Sequence, residues 1–376
     1  LFPNNLFLAI IGLVFMNANF FKKLFYPPAY LALSVAGIEI SNESIKYIEF
    51  WNKKGVFTIK NFGEIALSQD TVKDGEILNK DALMRAFFEL KKDISSDFIK
   101  VSIPEEKTYI FDTQIPEEAR GNIREALEFK IEENVPLKLD ESSFEYEIIG
   151  RDVSSKNILL NVSVVPKRVV ALYTEIFNKA GIYPISFEVE SKMIADSVIS
   201  KSDRGNYIIV NIKEDSTLLI AVVDGYVRTT SLIQVGERVM RENLLKTGLF
   251  SDEIVSGKFF ENDFSFETTY TKESYSSLVN IFSILKDEVE KFNQYIINKF
   301  PNTKLSETKI DKIILCGRSS TLPGLVKHVN QNIKAEVVFA DVWTNILDHK
   351  KSISNVKFHE SLAFATPIGL IVSTYK

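Results

Sequence analysis

Two stretches of the chain alternate apolar and polar residues in the same order. Each contains three short runs of strand type, separated by a polar turn and then by a turn with a glycine. They cover residues 36–66 and 207–235. The second stretch has Asp224-Gly225 between β-branched runs, and this dipeptide favours a two-residue hairpin. The pattern predicts two antiparallel meanders, and a duplicated lobe that opens with a meander in each copy is the simplest explanation.

Between and after the meanders, apolar residues recur at spacings of three and four, which is the spacing of one helix face. This pattern predicts helices over residues 81–92, 117–133, 166–180 and 275–300. Gly181 follows the third helix and Pro301 follows the fourth, and both residues are typical helix stops. We expect these apolar faces to lie in the core, and we assign no chemistry to them.

Short β-branched and aromatic runs predict strands between the helices. These strands cover residues 98–103, 143–149, 158–165, 183–189 and 312–315. Residues 100–190 are therefore predicted to form a strand, a helix, two strands, a helix and a strand, which is a compact α+β unit. Because no low-complexity linker marks its edges, we expect this unit to pack against the first lobe.

Composition excludes several classes of protein. The chain has 376 residues, 45% of them hydrophobic, and a globular chain of this length generally divides into two or more domains. The formal net charge of −5 provides no basic excess for binding nucleic acid.

The single cysteine, Cys316, excludes an internal disulfide and fits a reducing compartment. Since Cys316 ends a strand of buried type, we expect an inert thiol, and the three histidines form no metal-ligand spacing with it.

The N-terminal segment is apolar and then basic. Residues 6–15 are an apolar run that is shorter than the roughly 20 residues needed to span a bilayer. We interpret Met16 as the true start and residues 1–15 as translated upstream sequence, with a short membrane-contacting anchor as the alternative. Residues 16–28 are amphipathic and basic, and we expect a poorly ordered leader there or a weak contact with an anionic membrane.

Three loops resemble those with which actin-like ATPases hold a nucleotide. Residues 37–50, GIEISNESIKYIEF, are similar to the first phosphate loop in its PilM-type version. Residues 211–224 stand where the second phosphate loop is expected, and residues 312–325, KIILCGRSSTLPGL, resemble the adenosine loop. In the adenosine loop the matching residues are Gly317, Leu322, Pro323, Gly324 and Leu325.

The α+β unit has a more specific resemblance. Residues 123–139, IREALEFKIEENVPLKL, and residues 164–191, VVPKRVVALYTEIFNKAGIYPISFEVES, are similar to the subdomain that PilM-type proteins carry as an insertion. With these segments the resemblance covers residues 31–376. On these motifs the chain is identified as a member of the PilM type of actin-like ATPase-fold proteins, in the superfamily that contains FtsA and actin.

This resemblance implies an α/β fold of the ribonuclease H-like kind, duplicated in two lobes, with an inserted α+β subdomain in the first lobe. We expect a leader over residues 1–29 and a first lobe made of residues 30–100, 191–204 and 357–376. The inserted subdomain would take residues 101–190. The second lobe would take residues 205–235 and 309–356, with a distal helical subdomain over residues 236–308.

The resemblance also gives the candidate site residues and the cofactor, ATP with Mg²⁺. In actin-like folds the loops point backbone amides at the phosphates, and carboxylates hold the hydrated Mg²⁺ or orient the attacking water. The nucleotide-binding candidates are Glu39, Ser41, Asn42, Ser44, Lys46, Asn211, Lys213, Ser216, Gly317, Arg318 and Ser319. Glu39 is the remaining acidic residue of the first loop, where the family has aspartate. We expect no separate metal site and no other catalytic constellation.

Besides Glu39, four candidates depart from the family pattern. Ser41, Lys213 and Arg318 stand where the family has glycine, whose missing side chain lets the backbone approach a ligand. Asn211 stands where the family has an acidic residue, so a charge that attracts a hydrated cation is lost. Three interpretations remain open: an empty structural cleft, nucleotide binding without turnover in which the two cations contact phosphate, and hydrolysis, which Asn211 disfavours.

The resemblance implies a scaffold of the inner-membrane platform that assembles type IV pili. Its partner would be the N-terminal cytoplasmic tail of a PilN-like membrane protein, held in a groove where the inserted subdomain meets the first lobe. The chain would then be cytoplasmic and associate peripherally with the inner membrane through this partner. The alternatives are an active ATPase or phosphotransferase on the same fold, and an FtsA-like division or secretion-platform protein. The predicted C-terminal helix over residues 362–376, with no amphipathic tail after it, disfavours the division hypothesis.

Overall fold

A computed structural model of the chain gives the fold. The structure describes residues 34–53, 56–152, 154–248, 272–300, 310–322, 324–331, 335–346 and 356–374. The leader predicted over residues 1–29 lies outside these ranges. Among the helices within them, none is long and apolar enough to cross a membrane.

The described elements alternate between strands and helices along the whole chain. The strands are β1 (Val35–Ile40), β2 (Ser44–Lys53), β3 (Val56–Ala66), β4 (Val72–Lys73), β5 (Glu76–Ile77), β6 (Phe98–Ile103), β7 (Tyr109–Pro116), β8 (Ser142–Asp152), β9 (Asn157–Pro166), β10 (Tyr183–Val189), β11 (Tyr207–Ile212), β12 (Thr217–Val223), β13 (Tyr226–Ile233), β14 (Lys312–Cys316) and β15 (Glu336–Phe339). The helices are α1 (Lys80–Asp93), α2 (Ile123–Asn134), α3 (Lys167–Lys179), α4 (Glu190–Val198), α5 (Glu237–Lys246), α6 (Lys272–Lys299), α7 (Leu325–Val329), α8 (Phe358–Ser361) and α9 (Ala365–Thr374).

Two five-stranded sheets have the same topology. The first has the order β3-β2-β1-β6-β10, and the second has the order β13-β12-β11-β14-β15. In each sheet an antiparallel meander is extended by two strands that run parallel to its first strand. Asp224 and Gly225 connect β12 to β13 with φ values of 56° and 82°, which is the conformation of a two-residue hairpin turn. Both predicted meanders are therefore confirmed, and the two sheets are copies of one arrangement.

A third sheet, with the order β7-β9-β8, lies between β6 and β10 in the chain and is antiparallel throughout. Helix α2 packs on it through Ile123, Leu127 and Ile131. The structure corrects two details of the prediction. Strand β7 was not predicted, and the helix expected from residue 117 begins with a 3-10 turn, Glu117–Asn122. Gly121 lies in that turn, and glycine is a weak helix former.

Strands β6 and β10 pair with each other in the first sheet, although residues 101–190 were assigned to the inserted subdomain. Helix α3 also packs toward the first lobe, because Phe177 stacks on Phe87 of α1 with ring centroids 4.0 Å apart. We therefore propose a narrower insertion, over residues 104–166. The other domain boundaries stay predictions.

Helices α4 and α9 lie between the two five-stranded sheets. One apolar cluster contains Ile48 of the first sheet, Ile209 of the second sheet, and Ile194 and Ile368 from the two helices. The packing is close, because a Cβ added at Gly369 of α9 would lie 1.9 Å from the carbonyl oxygen of Met193 in α4. Pro367 lies in the first turn of α9, where proline is tolerated. The two lobes thus share a continuous core that needs no ligand.

Candidate functional site

The turns of the two meanders face one cavity of about 400 Å³. Ser41, in the turn between β1 and β2, and Lys213, in the turn between β11 and β12, both line it. So do the other candidates, which are Glu39, Asn42, Ser44, Lys46, Asn211, Ser216, Gly317 and Arg318. Ser319 is the exception. Its hydroxyl donates a hydrogen bond of 2.5 Å to Glu237, and Glu237 lines the cavity.

Strand direction brings these residues together. Strands β1, β11 and β14 all end at the cavity, as the carboxyl ends of parallel strands do at ligand sites of open α/β sheets. Gly317 follows β14 with a φ of 87°, and a Cβ there would lie 2.1 Å from the carbonyl oxygen of Ile212. This glycine is therefore required by the close approach of two protein backbones, whether or not a ligand binds.

The first turn is closed by its own serine. The Ser41 hydroxyl oxygen accepts hydrogen bonds from the amides of Ser44 at 3.1 Å and Glu43 at 3.4 Å. The amide of Ser41 donates to the carbonyl oxygen of Ser44 at 2.9 Å. In a phosphate loop, amides of this kind point at the anion. Here the side chain that replaces glycine occupies two of these donors.

The second turn is tied to the first lobe by its lysine. The Lys213 ammonium lies 3.1 Å from the carboxylate of Glu190, at the start of α4, and 3.8 Å from that of Glu106. Burial acts to lower the pKa of Lys213, but the charges of Glu190 and Glu106 outweigh it and raise the pKa above its ordinary value. Lys213 is therefore a charged group whose hydrogen bonds go to carboxylates.

Arg318 forms a second link between the lobes. Its guanidinium donates to Glu64 of β3 at 3.0 Å. Glu64 also accepts a hydrogen bond from the Ser44 hydroxyl at 2.6 Å and has the Lys46 ammonium at 3.9 Å. Burial acts to raise the pKa of Glu64, but Lys46, Ser44 and Arg318 together lower it. The two cations that could contact a phosphate, Lys213 and Arg318, are thus both paired within the protein.

A third link lies at the rim of the cavity. Arg238 of α5 forms ion pairs with Glu43 of the first turn and with Asp215 of the second turn. The Asn42 amide donates to the same Asp215 carboxylate at 3.3 Å. The two turns therefore contact each other directly through side chains.

The cavity lining is acidic. It contains seven carboxylate side chains, which are Glu39, Glu43, Glu64, Glu106, Glu214, Asp215 and Glu237, and three cations, which are Lys46, Lys213 and Arg318. Burial raises the pKa of three of these carboxyl groups, Glu39, Glu214 and Glu237, above the ordinary value. The neighbouring carboxylates Glu190 and Glu64 raise the pKa of Glu39 further, while Lys46 and Lys213 act against this.

These residues do not fit ATP with Mg²⁺. A triphosphate would bring negative charge into a lining with more carboxylates than cations, and like charges at short range repel. The amide donors of the first turn are partly occupied by Ser41, and buried Asn211 provides no charge for a hydrated cation. In the described part of the chain, no group of three or more acidic, histidine or cysteine side chains could hold a metal ion.

Several residues of the site were not among the sequence candidates. Glu64 had a signal, because it stands opposite Lys46 in the predicted meander. Glu190 belongs to the Glu-x-Glu motif that ends the inserted segment. For Glu106 and Glu237 the sequence offers no signal, because the contacts with Lys213 and Ser319 join distant parts of the chain.

Comparisons with known proteins extend this description. A sequence model of a family, described as type IV pilus assembly protein PilM, matches residues 37–375. No protein of curated function matches the sequence. The solved PilM-PilN type IV pilus biogenesis complex is similar with a TM-score of 0.73 at 13% identity, over 92% of this chain and 99% of that chain.

Two further structures are similar at lower scores. The ethanolamine utilization protein EutJ from Carboxydothermus hydrogenoformans has a TM-score of 0.51 at 12% identity, over 90% of this chain and 88% of its own. A MamK double helical filament has a TM-score of 0.50 at 10% identity, over 92% of this chain and 99% of its own. At these identities the likeness concerns the fold alone, and it confirms the predicted two-lobed actin-like fold.

Proposed function

The chain belongs to the family of type IV pilus assembly proteins PilM, and from this premise we propose that it works as a scaffold that needs no nucleotide. One observation carries the proposal: Ser41 occupies amide donors of its own loop, and Lys213 and Arg318 bind carboxylates of the first lobe, so the candidate phosphate loops are held by the protein itself. A scaffold requires a stable shape for its partner, and internal ion pairs together with a shared core provide that shape without turnover.

We propose a PilN-like membrane protein as the partner. The support is the similarity to the solved PilM-PilN complex. The bound segment would be the cytoplasmic tail that precedes the transmembrane helix of that partner, and the chain would thereby be held at the cytoplasmic face of the inner membrane. An extended tail gains affinity from backbone hydrogen bonds and specificity from pockets for alternate side chains.

The junction surface, which we define as Glu76, Leu78, Lys107 and Arg168, is the proposed docking place. Glu76 of β5 pairs with Arg168 at 2.6 Å and with Lys107 at 2.9 Å. Hydrogen bonds from Arg168 and Lys107 lower the pKa of Glu76 to about 2. Lys107 precedes β7 and Arg168 follows β9, so Glu76 connects both ends of the insertion to the first lobe.

Leu78 offers the apolar anchor that such a tail needs. It lies two residues after Glu76, and 56% of its surface is exposed. An exposed leucine can receive an apolar side chain of the tail. Arg168, whose side chain is 68% exposed, has further N–H groups beyond those bonded to Glu76, and these can donate to carbonyl groups of the tail.

The experiment is titration calorimetry of the full chain with a synthetic peptide of the PilN-like tail. We expect the same Kd with and without Mg-ATP. The variant Leu78→Glu should weaken binding about tenfold or more, since it places a charge at an apolar contact. The matched control is Ile284→Glu, which changes an exposed apolar residue of α6 in the second lobe and should leave the Kd unchanged.

Two results would contradict the proposal. One is tail binding that appears only with ATP. The other is release of phosphate from Mg-ATP by the full chain, which would favour the ATPase alternative and would require the paired cations to be rearranged.

A further inference from the structure

Glu39 is a buried carboxylate with an oxygen that no described residue satisfies. It lies on β1, lines the cavity, and has only 6% of its surface exposed. Its Oε2 atom has no hydrogen-bond partner among the residues that the structure describes. A buried carboxylate oxygen without a donor is costly. A ligand that donates an N–H group to this atom would remove that cost.

The charges around Glu39 select the sign of such a ligand. The cavity is lined by more carboxylates than cations, and Lys46, Lys213 and Arg318 each lie against a carboxylate of the protein. Glu237, the first residue of α5 in the second lobe, also lines the cavity. Arg238 and Arg241 pair with Glu43, Asp215 and Glu214, whereas Glu39 and Glu237 have no ion pair among the described residues. This part of the lining therefore favours a cation over an anion.

We propose that the cleft between the lobes binds an organic cation, an ammonium or guanidinium group that donates hydrogen bonds to Glu39 and Glu237. A volume of about 400 Å³ is within the range of small-molecule sites. Hydrogen bonds from a charged nitrogen to a carboxylate are among the strongest in proteins. An ammonium or guanidinium group has several N–H donors, and Glu39 provides an acceptor oxygen with no donor among the described residues.

The raised pKa values of three carboxyl groups in the cleft support this inference. Burial raises the pKa of Glu39, Glu214 and Glu237, and the nearby cations only partly offset this rise. A bound cation would add positive charge and would lower all three pKa values. The inference goes beyond the scaffold function and does not depend on it, because no pilus partner takes part.

Two sources could supply the same chemistry: a free diamine or polyamine, or a lysine or arginine side chain of a peptide. Titration calorimetry of the full chain with spermidine and with agmatine tests the first source. Capped Gly-Lys-Gly and Gly-Arg-Gly peptides test the second. Tetramethylammonium has the charge but no N–H donor, and it should bind at least about tenfold more weakly.

The decisive variant is Glu39→Gln, which keeps the shape of the side chain and removes its charge. We expect it to weaken binding of the better ligand about tenfold. Glu133→Gln, at an exposed position of α2, is the matched control and should change nothing. If thermal melting shows that Glu39→Gln is unfolded, Glu237→Gln carries the same test from the second lobe.

If spermidine or agmatine binds more tightly than the peptides, the ligand is a free amine. If a peptide binds more tightly, the ligand is a lysine or arginine side chain. The proposal is overturned if none of these cations binds in a saturable way, or if Glu133→Gln weakens binding as much as Glu39→Gln does. It is also overturned if Mg-ATP binds more tightly than every cation tested. A failure of the PilN-like tail to bind would leave this result unaffected.

Discussion

The turns of the two meanders occupy equivalent places in sheets of the same topology, yet they are held in different ways. Ser41 closes the first turn from within, by accepting hydrogen bonds from two amides of its own loop. Lys213 holds the second turn from outside, by an ion pair with Glu190 of the first lobe. In the position where the resembled loops have glycine, Ser41 thus stabilises the first turn by neutral local bonds, and Lys213 stabilises the second by a buried charge that joins the lobes.

For the proposed scaffold, this difference explains how an actin-like fold could keep its shape without a nucleotide. In an open cleft the ligand connects the two turns. Here that connection is replaced by Lys213, Arg318 and Arg238, which all reach from the second lobe to carboxylates of the first. Helices α4 and α9 complete the connection with an apolar core between the sheets. The equivalent turns should therefore respond very differently to substitution.

The largest effect is expected at Lys213. In Lys213→Met the carboxylates of Glu190 and Glu106 lose their buried counter-charge. Breaking a buried ion pair from one side typically costs about 3 kcal/mol or more, so we expect a loss of that size in the free energy of unfolding, measured with urea. The double variant Glu190→Gln, Lys213→Met should recover part of this loss. A loss below about 1 kcal/mol would show that the second turn is no more dependent on charge than the first.

A smaller effect, dependent on pH, is expected at Glu105, which lies close to Glu190. Burial and the Glu190 charge raise the pKa of Glu105 to about 7 from 4.5. The folded state therefore holds a proton that the unfolded state has lost between these pH values, and stability falls as the pH rises from 4.5 to 7. Glu105→Gln removes this carboxyl group. The variant should be about 3 kcal/mol more stable than the parent at pH 8 and nearly equal to it at pH 4.5.

Urea unfolding at several pH values measures this difference. The control is Glu133→Gln, at an exposed position of α2, which should leave the pH dependence of stability unchanged. Equal stability of Glu105→Gln and the parent across the whole range would mean that Glu105 is already ionised in the folded protein at neutral pH.

The sequence predicted what depends on local patterns and missed what depends on distant contacts. The meanders and the helices α1, α3 and α6 follow from periodicity and turn residues, and each was found within a few residues. Strand β7 was missed because only Ile115 in it is buried, so it lacks a clear alternation. The two faces of an edge strand in a small sheet differ too little in exposure to give a pattern.

The residues of the candidate site also fall into two groups, those identified from local sequence and those that depend on distant contacts. The loop residues were predicted because a resemblance in sequence identifies loops, and the structure places all but Ser319 around one cavity. The carboxylates that pair with Lys213 were not predicted, since Glu106 and Glu190 are brought to the cleft by the inserted segment and by α4. A substitution of glycine by lysine indicates a changed loop but does not identify the group that the lysine contacts.

The smallest effect is expected at Ser41. Ser41→Ala removes the hydroxyl that accepts from the amides of Glu43 and Ser44, and both amides can then bond to water in the cavity, which these two residues line. A neutral hydrogen bond contributes about 1 kcal/mol net, so we expect a loss of no more than that in the free energy of unfolding. Ser41→Gly, which restores the residue type of the resembled loop, should free the amides without restoring Mg-ATP binding, because Lys213 and Arg318 stay paired with carboxylates. Binding of Mg-ATP to Ser41→Gly in calorimetry would contradict this, and would mean that the serine alone, rather than the ion pairs between the lobes, keeps the nucleotide out.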